Sequence, residues 1–474
     1  MAKADCERGD AMTAATQANG AAVRHSGWRD LWRTEDWWAI WIGSAVVLAG
    51  TALFWGGESL RWLAVLPPKW KSLAQVVADL ATNWPRYGAL LLFWLAVLGT
   101  AFRAIGIRLR QFAPAFLLLF VAAYGIFVIG QWEGAARYNL EPPLIALLVG
   151  LLVANSVTVP VSLATGFRGE FYIKVGIVLL GATVPFSLIA LAGPIALLQA
   201  SIVSLVTFGA IYWAAVRFGL DRRFAATLGV GGAVCGVSAA IAVAGAVGAK
   251  KEHAAVTITI VIFWAIIMIF ALPIAARLLG LPTGVAGAWI GTSEFADAAG
   301  IAAAQAYGGL ASKVPGITGT AEQALQAFTL IKVVGRDAWI GIWAVALAIV
   351  ATTRWEAQPG GSAPDAREIW RRFPKFVIGF FLASALVTLA TAGYNLADYN
   401  KFATPGLIAP IKDLRSWAFS FCFLSIGLNT RFRDLAAAGR TPFAAFTIGV
   451  AVNLVLGYLL SVHLFGDHWA TLGQ

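Results

Sequence analysis

The chain has 474 residues, of which 59% are hydrophobic and only 12% are charged. Soluble domains carry about 25% charged residues, so this composition excludes a soluble enzyme and predicts a membrane protein with many spans. The net charge of +11 would suggest nucleic-acid binding in a soluble protein. In a membrane protein it is explained by basic residues in cytoplasmic loops, and no nucleic-acid partner is expected.

Thirteen apolar segments of about 20 residues predict an all-α membrane protein. They are 37–55, 87–103, 113–130, 143–164, 171–192, 194–216, 224–248, 254–276, 284–307, 324–351, 375–394, 414–438 and 441–465. The predicted regions are a disordered cytoplasmic tail (1–36), N-terminal helices (37–130), a first core segment (143–216), central helices (224–351), a cytoplasmic linker (352–374) and a second core segment (375–465).

Most Lys and Arg residues fall on the cytoplasmic side if the N-terminus is inside, which predicts a periplasmic C-terminus. Lys250 and Lys251 are exceptions in the thirteen-span scheme. They return to the cytoplasm if 224–248 is a re-entrant hairpin, and 284–307 must then be a second hairpin. Both segments are rich in Gly and Ala, so an alternative with eleven spans and two re-entrant hairpins stays open.

The segment 174–193 contains Pro185, which leaves the carbonyl of Gly181 without its helical partner. Such a break is expected to face protein, water or a ligand. Four residues of this segment recur 246 positions later: Gly181, Phe186, Ala190 and Gly193 correspond to Gly427, Phe432, Ala436 and Gly439. The echoed spans have opposite orientations, which predicts an inverted repeat with two broken crossing helices, as in secondary transporters.

The dense glycines of 229–248 are typical either of closely packed helices or of a helix that unwinds around a ligand. On the second interpretation, Gly236 exposes backbone and Ser238 offers a hydroxyl group. Likewise, Gly181, Asn429 and Thr430 are predicted to line a cavity at the two breaks of the repeat. The alternative is that the second break is an ordinary helix end at the cytoplasmic surface.

Two acidic residues, Glu294 and Asp297, are three positions apart and share one helical face. Acids at membrane depth are costly and are typical of proton or ion paths, so these two are candidates for ion coupling. Thr292 and Ser293 add hydroxyl groups to the same turn. The alternative is a span end at the interface or a structural ion pair.

Lys332 and Arg336 lie four positions apart inside a long apolar run, far from its ends. They are candidates for binding an anion or for neutralising Glu294 and Asp297. The alternative is a pair of lipid-facing side chains that reach the interface. Lys174, three residues into its span, either lines a cavity or is an ordinary basic residue at the cytoplasmic end of the span.

Six motifs over roughly 140–440 resemble the YeiH-type (UPF0324) family of bacterial inner-membrane proteins, which carries the label of sulfate exporters. They are GLLVANS, KVGIVLLGATVPFSL, CGVSAAIAVAGAV, GAWIGTSEFADAAG, LIKVVGRDAW and FLSIGLNTRFRDL. The resemblance implies a fold like that of cation/proton antiporters, with two broken helices crossing in mid-membrane, and a homodimer would suit that fold.

By this resemblance, Cys235, Gly236 and Ser238 match a Cys-Gly-x-Ser motif, and Lys332 with Arg336 matches a Lys/Arg pair. Many members carry a His-Glu pair at the acidic motif. The histidine is absent here, where the sequence reads SEFAD from residue 293 to residue 297.

These features predict a secondary active transporter that moves a small oxyanion, sulfate or a sulfonate, across the bacterial inner membrane by alternating access. Lys332 and Arg336 would hold the anion, and Glu294 or Asp297 would carry the coupling ion, H⁺ or Na⁺. A monovalent cation/proton antiporter is the alternative. An intramembrane enzyme is disfavoured because the spans offer neither a metal-binding Asp cluster nor a placed His, so neither a metal nor a cofactor is expected.

Overall fold

The computed structural model describes residues 28–134, 142–157, 160–311, 313–355, 374–395, 398–431 and 439–473. Regular structure in these ranges is helical, apart from one isolated β-bridge between Trp70 and Trp132. Most of the predicted tail (1–36) and linker (352–374) lies outside the described residues, as do Phe432 and Ala436 of the proposed repeat.

Sixteen helices carry the described fold. They are α1 (Glu35–Trp55), α2 (Leu73–Ile105), α3 (Leu109–Gly130), α4 (Pro142–Ser156), α5 (Gly169–Gly181), α6 (Phe186–Arg217), α7 (Arg222–Ala233), α8 (Val237–Ala246), α9 (Lys251–Leu278), α10 (Thr283–Ser293), α11 (Asp297–Gly308), α12 (Ala321–Thr329), α13 (Trp339–Val350), α14 (Phe376–Ala390), α15 (Ala409–Asn429) and α16 (Arg440–Tyr458). Wider π-helical turns are Leu330–Arg336, Ala351–Trp355, Tyr399–Ile408 and Leu459–Leu464, and short helical turns are Trp28–Trp32, Leu60–Trp62, Val161–Ala164 and Gly466–Ala470.

Seven helical stretches of the described chain are long and apolar enough to cross a membrane. They are Glu35–Trp55, Leu73–Ile105, Leu109–Gly130, Phe186–Arg217, Glu252–Leu278, Ala321–Trp355 and Arg440–Leu464. One predicted boundary is absent: α6 contains Pro194 and continues without interruption to Arg217, so 171–192 and 194–216 are not separate helices. The interruption lies earlier, between the end of α5 at Gly181 and the start of α6 at Phe186.

The described chain forms two compact units. The first contains the described residues within 1–186 and 375–431, and the second contains those within 187–374 and 432–474. This grouping differs from the predicted regions, because it divides the first core segment near Phe186 and the second at Arg431.

Glycines allow close packing in the first unit. A Cβ atom on Gly181 would lie 2.2 Å from the carbonyl oxygen of Phe380 in α14, and one on Gly427 would lie 2.5 Å from that of Leu147 in α4. Gly181 is therefore a packing residue. Its carbonyl is not left bare as predicted, because it accepts a hydrogen bond from the Val184 amide at 3.1 Å.

An ion-pair network joins the start of α1 to the region of α5. Arg168 pairs with Glu35, and the ammonium of Lys174 lies 2.8 Å from a carboxylate oxygen of Asp36. The backbone amide of Lys375 also donates to Asp36, at 2.9 Å. Lys174 thus has a structural partner in the protein, which resolves its ambiguity in the sequence.

The second unit contains two helical hairpins. In the first, α7 and α8 run antiparallel, because Arg223 at the start of α7 donates to the carbonyl of Gly248 beyond the end of α8, at 3.1 Å. A single straight helix could not bring residues 25 positions apart into contact, because a rise of about 1.5 Å per residue would separate them by about 38 Å. In the second hairpin, Tyr307 near the end of α11 donates to the carbonyl of Leu281, which precedes α10, at 2.6 Å.

Both segments therefore have the shape that the eleven-span alternative requires, and neither is a single straight helix. The first hairpin turns at 234–236, where Gly236 has a φ of +76°. An L side chain is strained at such a φ, and glycine is not. The second turns at 294–296, where Glu294 and Ala296 adopt extended conformations between the two helices.

Candidate functional site

The two hairpin tips, defined as 234–236 and 294–296, are in direct contact. A Cβ atom on Gly236 would lie only 2.7 Å from the carbonyl oxygen of Phe295. Four helix ends lie there, namely the C-termini of α7 and α10 and the N-termini of α8 and α11. The tips therefore combine two negative and two positive ends of helix dipoles.

Arg336 binds carbonyls at the C-termini of α7 and α10, which are the first helices of the two hairpins. Its guanidinium donates to Gly232 at 3.0 Å in the first hairpin, and to Thr292 at 2.7 Å and Glu294 at 2.9 Å in the second. Longer contacts of 3.4 and 3.3 Å reach Ala233 and Gly291. This one side chain satisfies carbonyls that the helices leave without internal partners.

Lys332 bridges the same two tips. Its ammonium donates to the carbonyls of Val234 at 2.7 Å and Glu294 at 2.8 Å, and it lies 3.9 Å from a carboxylate oxygen of Asp297. Lys332 and Arg336 come from the π-helical turn Leu330–Arg336 that follows α12, and both are fully buried. Two cations thus stabilise the negative ends of α7 and α10.

Three acidic residues accompany these cations. Glu294 is fully buried, and its Oε1 accepts hydrogen bonds from the amides of Phe295 and Ala296 at 2.8 and 3.2 Å. Within the described ranges, its Oε2 has no hydrogen-bond partner. Asp337 is also fully buried and lies next to Asp297.

Asp337 was not among the site residues proposed from sequence. The signal that could have found it is its position, since it directly follows Arg336 inside an apolar run. An acid at membrane depth is costly, which is the same argument that selected Glu294 and Asp297.

The tips are not uniformly buried. Ser238 is partly exposed and the side chain of Asp297 is 18% exposed, whereas Lys332, Arg336, Glu294 and Asp337 are fully buried. Helix α8 has no acidic residue in its first turn, and no side chain caps its N-terminus at Gly236. The N-terminus of α8 thus lies in contact with the tip that precedes α11, the helix that begins at Asp297. The uncapped N-terminus of a helix attracts small anions.

Thr292 and Ser293 are fully buried on the last turn of α10. The Thr292 hydroxyl donates back to the carbonyl of Trp289 at 2.8 Å. Ser293 Oγ has no hydrogen-bond partner in the part of the chain that the structure describes. Both hydroxyl groups pack against Gly457 of α16.

The remaining candidates, Gly181, Asn429 and Thr430, belong to the first unit and make contacts within it. Asn429 donates to the carbonyl of Phe167 at 2.8 Å, and the Thr430 hydroxyl donates to the carbonyl of Ile426 at 2.7 Å. The structure does not group them with the hairpin tips.

The two interrupted segments that meet are not the predicted pair. The second predicted partner, 414–438, is an uninterrupted helix as far as Asn429, and residues 432–438 lie outside the described ranges. The segments that touch at their interruptions are 222–246 and 283–308. The contact of these two segments was not predicted, because a proline such as Pro185 is visible in a sequence, whereas the positive φ of Gly236 is not.

A family model described as "Conserved hypothetical protein 698" matches residues 114–445 of this chain. The matched region includes both hairpins together with Lys332, Arg336 and Asp337. No solved structure matches the chain.

Curated relatives carry the name UPF0324 membrane protein. One from Rhodopirellula baltica is 29% identical, and the alignment covers 93% of this chain and 91% of the relative. One from Nitrosomonas europaea is 30% identical over 91% of this chain and 96% of the relative. One from Nitratidesulfovibrio vulgaris is 32% identical over 82% of this chain and 65% of the relative. The chain therefore belongs to the UPF0324 family of membrane proteins.

Proposed function

We propose that this protein is a secondary active transporter of a small oxyanion, sulfate or a small sulfonate, and that it works by alternating access in the bacterial inner membrane. The observation that carries the proposal is the contact of two hairpin tips beside two buried cations, Lys332 and Arg336. Helix ends that meet inside a membrane protein supply partial charges where ions and substrates bind in transporters.

The anion binds at the N-terminus of α8, close to Ser238. Lys332 and Arg336 direct their hydrogen bonds to backbone carbonyls, so they act on the anion through their positive charge and by holding the tips together. This differs from the role expected from sequence, in which both side chains bind the anion directly.

The carboxyl groups of Glu294, Asp297 and Asp337 provide the coupling. An anion that arrives beside a carboxylate is repelled, and the repulsion is relieved when the carboxylate takes up a proton. Binding of the oxyanion and of the proton therefore favour each other. Asp297 is the first acceptor because it is the partly exposed member of the group.

Paired contacts in the first unit support an inverted repeat. Ser384 donates to the carbonyl of Val184, and Asn155 donates to that of Thr430 at 3.1 Å. Asn155 and Ser384 are separated by the same 229 positions as Gly150 and Gly379, which begin the GLLVA and GFFLA motifs. Val184 and Thr430 are separated by 246 positions, as are Gly181 and Gly427. A two-fold operation would exchange these two hydrogen bonds.

Uptake into proteoliposomes tests the proposal. Labelled sulfate and small sulfonates are supplied with and without a pH gradient, and the wild-type protein is compared with D297N. Arg277→Gln is the matched control, because Arg277 is an exposed charge on the last turn of α9. We expect anion uptake that D297N abolishes and that the control retains. Proton flux that depends on a monovalent cation, without flux of any anion, would reject the proposal.

A monovalent cation/proton antiporter is the second candidate. The tips hold three acidic residues and only two basic ones, which favours a cation as the substrate. The two basic residues donate their hydrogen bonds to backbone carbonyls. In that case Na⁺ or K⁺ should dissipate an imposed pH gradient in the absence of sulfate, and D297N should abolish this effect.

A further inference from the structure

Two adjoining cavities in the second unit lie where the end of α6 meets the start of α7 and the end of α13. The first has a volume of about 460 Å³ and the second about 410 Å³. They share Arg222 and Trp355. Neither cavity includes a residue of the hairpin tips, so these cavities are separate from the candidate transport site.

The lining of these cavities is strongly basic at one end. Arg222, Arg223 and Arg354 contribute three positive charges, and Asp221 is the acidic residue among the lining side chains. Asp221 caps α7 by accepting from the amides of Arg223 and Phe224. Arg222 and Arg354 are exposed, and among the described residues neither guanidinium has a hydrogen bond or an ion pair.

The other end of the lining is aromatic and aliphatic. The rings of Phe208 and Trp343 lie 4.0 Å apart, and Tyr212 stacks on Phe208 at 5.5 Å and on Trp355 at 6.3 Å. Leu347 and Val350 extend this wall along α13. An apolar wall that ends in arginines and aromatic rings has the polarity of the boundary between acyl chains and headgroups.

We propose that these cavities bind an anionic phospholipid. Its phosphate lies between Arg222 and Arg354, and an acyl chain lies along Phe208, Trp343 and Leu347. Basic pockets between membrane helices on the cytoplasmic side recognise anionic headgroups, and the predicted orientation places Arg222 and Arg354 on that side. A free phosphate would use the arginines but would leave the apolar wall uncovered, so charge and polarity together favour the lipid.

Native mass spectrometry of the purified full-length protein tests this site. Phosphatidylglycerol and phosphatidylethanolamine with identical acyl chains are titrated into the detergent-solubilised protein. We expect preferential retention of phosphatidylglycerol by the wild type, and about ten-fold weaker binding by the double variant Arg222→Gln/Arg354→Gln. The matched control is Arg103→Gln/Arg277→Gln, which removes two exposed arginines that line neither cavity.

Three results would overturn the proposal. The wild type would retain both lipids equally, the double variant would bind phosphatidylglycerol as tightly as the control, or inorganic phosphate at low millimolar concentration would displace the lipid completely. The last result would assign the arginines to a free anion. If the double variant cannot be purified, the comparison of the two lipids on the wild type still decides.

Discussion

Lys332 and Arg336 direct their charges at main-chain oxygen atoms. A carbonyl at the C-terminus of a helix carries part of the negative end of the helix dipole, so it is a better acceptor than an isolated carbonyl. Two hairpin tips bring such carbonyls together, and a planar guanidinium can reach several at once. The geometry explains why Arg336 contacts both hairpins while remaining fully buried.

Arg336→Lys should destabilise the protein although it keeps the charge. A lysine cannot reproduce the fork that reaches Gly232 and Thr292, so buried carbonyls lose their partners. We expect the unfolding free energy to fall by about 3 kcal/mol, seen as a lower thermal midpoint in detergent. Arg277→Lys, at an exposed position, is the control and should leave the midpoint unchanged. Equal midpoints for the two variants would contradict this role of Arg336.

Gly236→Ala should also lower the thermal midpoint. The new methyl group would meet the carbonyl oxygen of Phe295 at 2.7 Å, and the positive φ of residue 236 would be strained. Strain at such a φ costs about 1–2 kcal/mol before any clash is counted. Gly209→Ala is the matched control, because a Cβ atom there has no neighbour within 4 Å. A midpoint for Gly236→Ala at or above that of the control would show that the tips can separate freely.

The hairpins show what the sequence could reveal at the level of elements. Their glycine and alanine content and the misplaced charges of Lys250 and Lys251 suggested the eleven-span alternative. The direction of the chain within each segment could not be read, because a straight helix and a hairpin can have the same composition and length. What decides it is contact between the two ends of each segment, such as that of Arg223 with Gly248.

Cysteine labelling tests the path of the first hairpin. In a background without native cysteines, Phe218→Cys and Lys250→Cys should react with a membrane-impermeant maleimide from the same face of the membrane, because α7 and α8 return to the side from which they started. Leu279→Cys should react from the opposite face, since the 28 residues of α9 rise about 42 Å. All three positions are exposed. Labelling of residues 218 and 250 from opposite faces would rule out a re-entrant hairpin.

At the scale of the whole molecule, composition alone predicted a helical membrane protein, and the motifs predicted its family. The cluster at the hairpin tips was predicted only in part. Glu294, Asp297, Lys332 and Arg336 do lie together, whereas Gly181, Asn429 and Thr430 make contacts in the first unit. The sequence echo at 246 positions predicts that the segments around Gly181 and Gly427 are related. It could not show that these segments pack in the first unit, whereas Lys332 and Arg336 belong to the second.

Proton coupling gives a prediction for the protein as a whole. If Asp337 and Asp297 share the coupling proton, D337N should make sulfate uptake into proteoliposomes insensitive to the pH gradient and should slow it by about ten-fold or more. Sulfate binding, measured by the thermal shift at saturating sulfate, should persist. Glu252→Gln removes an exposed acid at the start of α9 and should retain the full response to the gradient. A D337N variant that also keeps this response would exclude Asp337 from coupling.

The antiparallel course of the two hairpins has a consequence for how membrane topology can change in related chains. An additional membrane span reverses the orientation of every element that follows it, together with the side on which every later loop is found. A hairpin whose two ends lie on the same side reverses nothing. Segments 222–246 and 283–308 could therefore be lengthened, shortened or exchanged for other hairpins without inverting α9 or the helices after α11. The tip residues can diversify while the surrounding spans keep their orientation, so specificity and topology can vary independently.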